Sequence, residues 1–174
     1  MGRIALCILD VLNSYDHEDA DRLAEHAAGT IDPILDLRER ADLVIYVNDN
    51  WGGWHADRRR LVDTAMGGKR PDLVEPLVPR EDDLFVIKGR HSAFFNTPLD
   101  YIVHQHDIDR LVIAGQVTEQ CVLYSALDAF LRHLKPIVPK DAVAAIFDDL
   151  AEASLRLMER NMHAEVCKAS EISF

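Results

Sequence analysis

Few features of this 174-residue sequence would assign a function at sight. Cysteine is scarce. Cys7, Cys121 and Cys167 are scattered, odd in number and without metal-ligand spacing, which excludes a disulfide framework and points to a reducing cytoplasm. Basic charge is short as well: 19 Lys plus Arg against 30 Asp plus Glu give a formal net charge of -11. Nucleic acid and anionic membranes need a basic face, so neither is expected as a partner. No apolar run reaches membrane-spanning length, and the first, residues 4–9, stops at Asp10, too early for the core of a signal peptide. Leu6 stands where a myristoylation motif carries Ser or Thr. The eight histidines include no HxxxH or HExxH pair, so no metal and no cofactor is expected, and His104, His106 and His133 read as solvated helix residues. Residues 11–16 contain no glycine, which argues against a phosphate-cradling turn after the first strand. Gly67, Gly68 and Lys69 have neither the upstream glycine nor the following Ser or Thr of a Walker loop.

What is present is ordinary globular material, 48% hydrophobic and 28% charged, enough for one domain over residues 1–174. A chain of this size buries about 70% of its unfolded surface. Continuous apolar runs at 3–10, 43–47, 84–87, 111–114, 136–138 and 164–167 predict six strands, each covered on both faces. Helical spacing fills the intervals. Residues 18–40 are periodic, with Gly29 and Pro33 suggesting two helices or a kink, and 58–66 form a short helix. Asn96 or Thr97 can cap a helix with Pro98 at its first position, and Asp148 can cap a last one carrying Leu150, Leu155, Met158 and Met162. Residues 67–83 read as an irregular connection and 141–145 as a surface loop. Alternating strands and helices predict a three-layer α/β/α Rossmann-like domain with a mainly parallel six-stranded sheet.

The carboxyl edge of such a sheet collects strand-end residues into one crevice. Asp10, Asp49, Lys88 and the turn from Gly115 to Cys121 all fall there. Cys121 lies in the first turn of a helix, where unpaired N–H groups and the positive end of the dipole favour a thiolate. Two readings stay open from these residues alone: an activated nucleophile, or a small buried hydrophobe. Around the edge, Trp51 and Trp54 flank two glycines, and Phe94 and Phe95 follow Lys88. Trp51, Asp49, Phe94 and Gln116 are accordingly expected to face a small-molecule substrate.

Three segments in this order resemble the isochorismatase-like cysteine hydrolases, a family that includes nicotinamidases and N-carbamoylsarcosine amidohydrolase. They are Ile8-Leu9-Asp10-Val11-Leu12-Asn13 with Tyr15, then Phe85-Val86-Ile87-Lys88, then Gly115, Thr118, Cys121 and Val122. The resemblance runs over nearly the whole chain. It implies a catalytic triad of Asp10, Lys88 and Cys121, with cleavage of an amide-like C–N bond through a Cys121 thioester. It also implies an oxyanion hole from the backbone N–H groups of Val117 and Cys121, a cis peptide between Gln116 and Val117, and a homo-oligomer, a dimer or larger. On this reading, Asp10→Asn slows alkylation of Cys121 at neutral pH. Nicotinamidases build a metal site on an Asp-x-His after the second strand; here the stretch is Asp49-Asn50-Trp51, which argues against that metal. The same fold also serves isochorismatase-type vinyl-ether hydrolysis, and a silent binding or scaffold protein would keep the sheet with an unreactive Cys121.

Overall fold

The structure, a computed structural model, describes residues 2–174. Strand β1 (Arg3–Leu9) is apolar from Ile4 onward because both of its faces are covered. Ala5, Cys7 and Leu9 join one core with Phe94, Leu99, Val103, Val122, Ala126 and Met158. Ile4, Leu6 and Ile8 join another with Ile34, Leu37 and Ile172. Two cores on opposite faces of one sheet make the three layers. Burying each such aliphatic side chain contributes roughly 1.5 to 3 kcal/mol, so β1 alone anchors a large part of the fold.

From edge to edge the sheet runs β3 (Leu84–Lys88), β2 (Val44–Asp49), β1, β4 (Ile108–Gln116), β5 (Lys135–Pro139) and β7 (Glu165–Cys167), all paired in parallel. The chain builds outward from β1 to β3, then returns to lay β4 on the other side of β1. Strand order therefore reverses between β1 and β4, and a crevice opens at their carboxyl ends. The sheet has seven strands rather than six. β5 pairs with β4 only at Arg110, Leu111 and Val112, which leaves the carboxyl half of that nine-residue strand bare. A two-residue strand, β6 (Val143–Ala144), fills the gap beside Gly115 and Gln116, in residues whose sequence reads as a surface loop.

Helix α1 (Ala20–Arg40) is continuous through Pro33, against the expected break. Its buried stripe of Leu23, Ala24, Ala27, Ile34 and Leu37 holds both halves to the sheet, and packing outweighs the lost hydrogen bond. α2 (Arg58–Met66) forms where expected, but the supposedly irregular stretch after it contains α3 (Pro71–Val74) and a 3-10 turn (Glu75–Leu77). Leu73, Val74, Leu61, Leu23 and Leu12 are buried together there, which is why the segment orders. α4 (Leu99–Gln105), α5 (Leu123–Leu131) and α6 (Asp148–Asn161) cover the opposite face. α6 starts at Asp148, yet Leu150 is half exposed and Met158 and Met162 carry the packing. Among the described residues no helix is long and apolar enough to cross a membrane.

Gly115 closes β4 with φ at 104°, and a Cβ there would stand 2.2 Å from the Leu9 carbonyl oxygen. Only glycine lets β4 turn this tightly against β1. That turn delivers the following segment to the crevice.

Candidate active site

Each of three adjacent strands brings one charged or polar side chain to the crevice, and a turn after a fourth brings a thiol. Asp10 follows β1 in a left-handed conformation (φ 54°), which Asp tolerates better than most residues. This bends its carboxylate toward β2, where Oδ1 accepts the Asp49 N–H at 2.6 Å. Lys88 ends β3 in register with Asp49. Its ammonium lies 2.9 Å from Asp10 Oδ2, 3.4 Å from Asp49 Oδ2 and 3.5 Å from Cys121 Sγ, which it reaches as donor. Lys88 is 1% exposed, Asp10 4% and Cys121 8%. Lysine is almost never buried this deeply without a partner, so its position is set by the two carboxylates and the sulfur. Asp10 Oδ2 meets no hydrogen-bond donor at good angle; it is left to the ionic contact with Lys88 and to the neighbouring thiol.

Burial dominates the titration of this cluster. It pushes the Asp10 carboxyl above its ordinary range, against the opposing pull of Lys88, Cys121 and the Asp49 N–H. Burial and then the Asp10 charge push the Cys121 thiol up to about 12, although Lys88 works the other way. For Lys88, burial acts to lower the pKa, but Asp10, Cys121 and Asp49 together outweigh it and the ammonium is held charged. Burial and the Asp10 charge thereby work against the easily ionised thiol expected at a helix start, and only Lys88 favours the thiolate. Asp10 and Cys121 both contact the Lys88 ammonium and act on each other's titration, so they titrate as a pair.

Cys121 sits in a π-helical turn, Thr118–Val122, that leads into α5. The peptide between Gln116 and Val117 is cis. In this turn the Val117 carbonyl accepts from the N–H groups of Gln120 (3.0 Å) and Val122 (3.1 Å), passing over that of Cys121. Val117 N–H meets no acceptor among the described residues. Gln116 fastens the turn to β1: its Nε2 donates to the Asp10 carbonyl at 2.8 Å, and its Oε1 accepts from the Tyr15 hydroxyl at 3.2 Å. Thr118 Oγ1 donates to the Ala144 carbonyl at 3.0 Å, so β6 supports the turn from the other side.

The cluster opens onto a cavity of about 560 Å³. Asp49, Trp51, Gln116 and Val117 line it, as the sequence suggests. Trp51 is half exposed, and its indole Nε1–H donates to the Leu12 carbonyl at 3.0 Å, which fixes the ring as one wall. Phe94 does not line it. It is 3% exposed, packed in the core with Leu99 and Val122, and capped by the Arg132 guanidinium 4.8 Å from its ring centre. The Ala93 N–H donates to Ser125 Oγ and the Phe94 N–H to Ser92 Oγ, which turns Phe94 inward and leaves Phe95 outside, in a neighbouring cleft with Trp54. Sequence reasoning passed over the loop after β1, which supplies Asn13, Ser14, Asp16, His17 and Asp19, and also His91, Gln120 and Ile146. The signal for that loop was its place at a strand's carboxyl end.

A nicotinamidase-type metal at Asp49 does not fit the residues present. Asp49 Oδ1 accepts the Trp51 N–H at 2.8 Å, Oδ2 faces the Lys88 ammonium at 3.4 Å, and Asn50 Oδ1 accepts the Gly52 N–H at 2.9 Å. A fixed ammonium beside Asp49 repels a second cation. Among the described residues no three His, Cys, Asp or Glu side chains converge at metal-ligand spacing.

Comparison with known proteins places the chain in a family. An isochorismatase family protein of Bacillus subtilis, YaaI, described as uncharacterised, is 31% identical over 172 residues, 97% of this chain and 95% of its own. A maleamate amidohydrolase of Pseudomonas putida is 26% identical, covering 87% of this chain and 76% of its own. The solved structure of N-carbamoylsarcosine amidase from Thermoplasma acidophilum superposes with a TM-score of 0.73 and 26% identity, over 99% of both chains. The isochorismatase domain model matches residues 4–171, and the chain belongs to the isochorismatase family of hydrolases.

Proposed function

We propose that this chain hydrolyses the amide-like C–N bond of a small metabolite, with Cys121 as nucleophile, Asp10 as general base and acid, and Lys88 as the fixed cation between them. The observation that carries the reading is one ammonium within 2.9 Å of Asp10 Oδ2 and 3.5 Å of Cys121 Sγ, at the floor of a cavity large enough for a small metabolite. Its support from relatives is that several are amidases or amidohydrolases.

Asp10 takes the thiol proton as sulfur attacks the carbonyl carbon, and the charge that forms on sulfur stays beside Lys88. The carbonyl oxygen becomes an oxyanion held by the N–H groups of Val117 and Cys121. Collapse expels the amine, which leaves with the proton returned from Asp10. A thioester remains on Cys121. Water then attacks it with Asp10 again as base, and the thiol is regenerated as the acid departs. Asp10's raised pKa suits both roles, since a carboxylate that is too acidic donates poorly.

Ammonia release from a panel of small primary amides and ureido compounds tests this directly. Turnover by the parent enzyme and loss of at least about a thousandfold in Cys121→Ala is expected, the scale of losing a covalent nucleophile. Turnover of a vinyl ether alone, or of nothing with Cys121 inert, would refute it.

A further inference from the structure

The walls of the cavity carry charge of one sign. Asp16 and Asp19 from the loop after β1 and Asp49 from β2 line it together with Asp10. Lys88 is the only lysine or arginine in the lining, and it is already held between Asp10 and Asp49. His17 and His91 add imidazoles rather than fixed cations. Asp16 pairs with Lys69 at 2.7 Å, but both side chains are 67% exposed, so the pair is loose and its carboxylate is only partly offset. Arg90 is exposed and lines the adjoining cleft with Trp54, not this cavity. A carboxylate brought into this cavity would lose water and meet no unspent cation, an expensive exchange. A cationic or neutral group would lose little, and the exposed face of the pinned Trp51 ring offers a cation–π surface on the same wall.

Resting on the reading of Cys121 as nucleophile, we propose that this site selects amides whose remaining part is neutral or positively charged and rejects those bearing a carboxylate. Relatives named for maleamate and N-carbamoylsarcosine act on carboxylate-bearing amides, so the substrate class here differs from theirs. Asp19, which has no partner among the salt bridges of the described residues, and then Asp16 are the specificity-determining side chains at the mouth.

The test uses thiol reagents of one size and three charges: methanethiosulfonates with an ethylammonium, a hydroxyethyl or an ethylsulfonate tail, in the full chain carrying Cys167→Ser. Cys7 is fully buried, and labelling of Cys121 is read by peptide mass. Rates are normalised to 2-mercaptoethanol at low salt. The ethylammonium reagent should then exceed the ethylsulfonate by about tenfold, the effect of two or three net charges acting across some 8 Å of wet cavity. Asp19→Asn should reduce that ratio about two- to threefold, and Asp16→Asn less, because Lys69 already offsets it. Equal rates, or a preference for the anion that Arg90→Gln removes, would overturn the charge selection while leaving the nucleophile in place. Failure of even the hydroxyethyl reagent to label Cys121 up to pH 10 would overturn the nucleophile, and the selection with it.

Discussion

Replacing Asp10 by Asn should change the shape, and not only the height, of the pH profile for alkylation of Cys121. In the parent, the thiol loses its proton to Asp10 as it reacts, so the number of protons in the pair stays constant. The labelling rate should be nearly flat with pH, from the acid side, where Asp10 itself takes up a proton above the ordinary carboxylate range, to the alkaline side, where the thiol ionises directly at about 12. In Asp10→Asn the proton must go to solvent, and the rate should rise about tenfold per pH unit. The variant is slower near neutrality. It overtakes at alkaline pH, because the carboxylate that opposed the thiolate is gone while Lys88 remains. Asp10 Oδ2 and Cys121 Sγ are at most 6.4 Å apart, the sum of their 2.9 Å and 3.5 Å distances to Lys88 Nζ. At an effective dielectric constant of about 20 that repulsion is roughly 3 kcal/mol, about a hundredfold in thiolate population. The less basic thiolate is a weaker nucleophile, so about tenfold survives in the rate. Iodoacetamide labelling followed by peptide mass from pH 6 to 10 measures both profiles. Parallel profiles rising equally with pH would refute a shared proton and, with it, Asp10 as base.

Lys88→Met should cost about 3 to 5 kcal/mol in chemical denaturation, because it strands the buried Asp10 carboxylate without a cation and leaves the partly buried Asp49 beside it. Restoration of most of that loss in the double variant with Asp10→Asn would mark the penalty as electrostatic; no restoration would mark it as lost packing. Gly115→Ala should yield little folded protein, since its Cβ has no room before the Leu9 carbonyl and its φ is positive; a melting temperature within a few degrees of the parent would contradict this. Leu37→Ala should destabilise by about 2 to 5 kcal/mol, as a fully buried leucine between α1 and the sheet, while leaving the alkylation profile of Cys121 unchanged in shape.

The site was legible where chemistry and strand ends coincide. Asp10, Lys88 and Cys121 stand out because each follows an apolar run, and parallel strands place such residues on one edge. Trp51 and Gln116 follow by the same logic. Phe94 misleads because composition cannot say which of two adjacent phenylalanines turns inward; Ser92 and Ser125 decide that through backbone hydrogen bonds with no sequence signature. β6 is invisible for a related reason. Two residues carry no periodicity, and the need for them arises only once β5 has diverged from β4. Pro33 shows the converse, a strong local signal overridden by a long buried stripe. The helix start suggests an acidic thiol, whereas burial and a neighbouring carboxylate, both tertiary, push it the other way.

The most direct test of the central claim is the mass of the enzyme itself during turnover of an amide that releases ammonia, quenched rapidly in acid. The account predicts an adduct on the Cys121 peptide equal to the substrate less its leaving amine, labile to hydroxylamine and absent from Cys121→Ala. Undiminished hydrolysis by Cys121→Ala would contradict it.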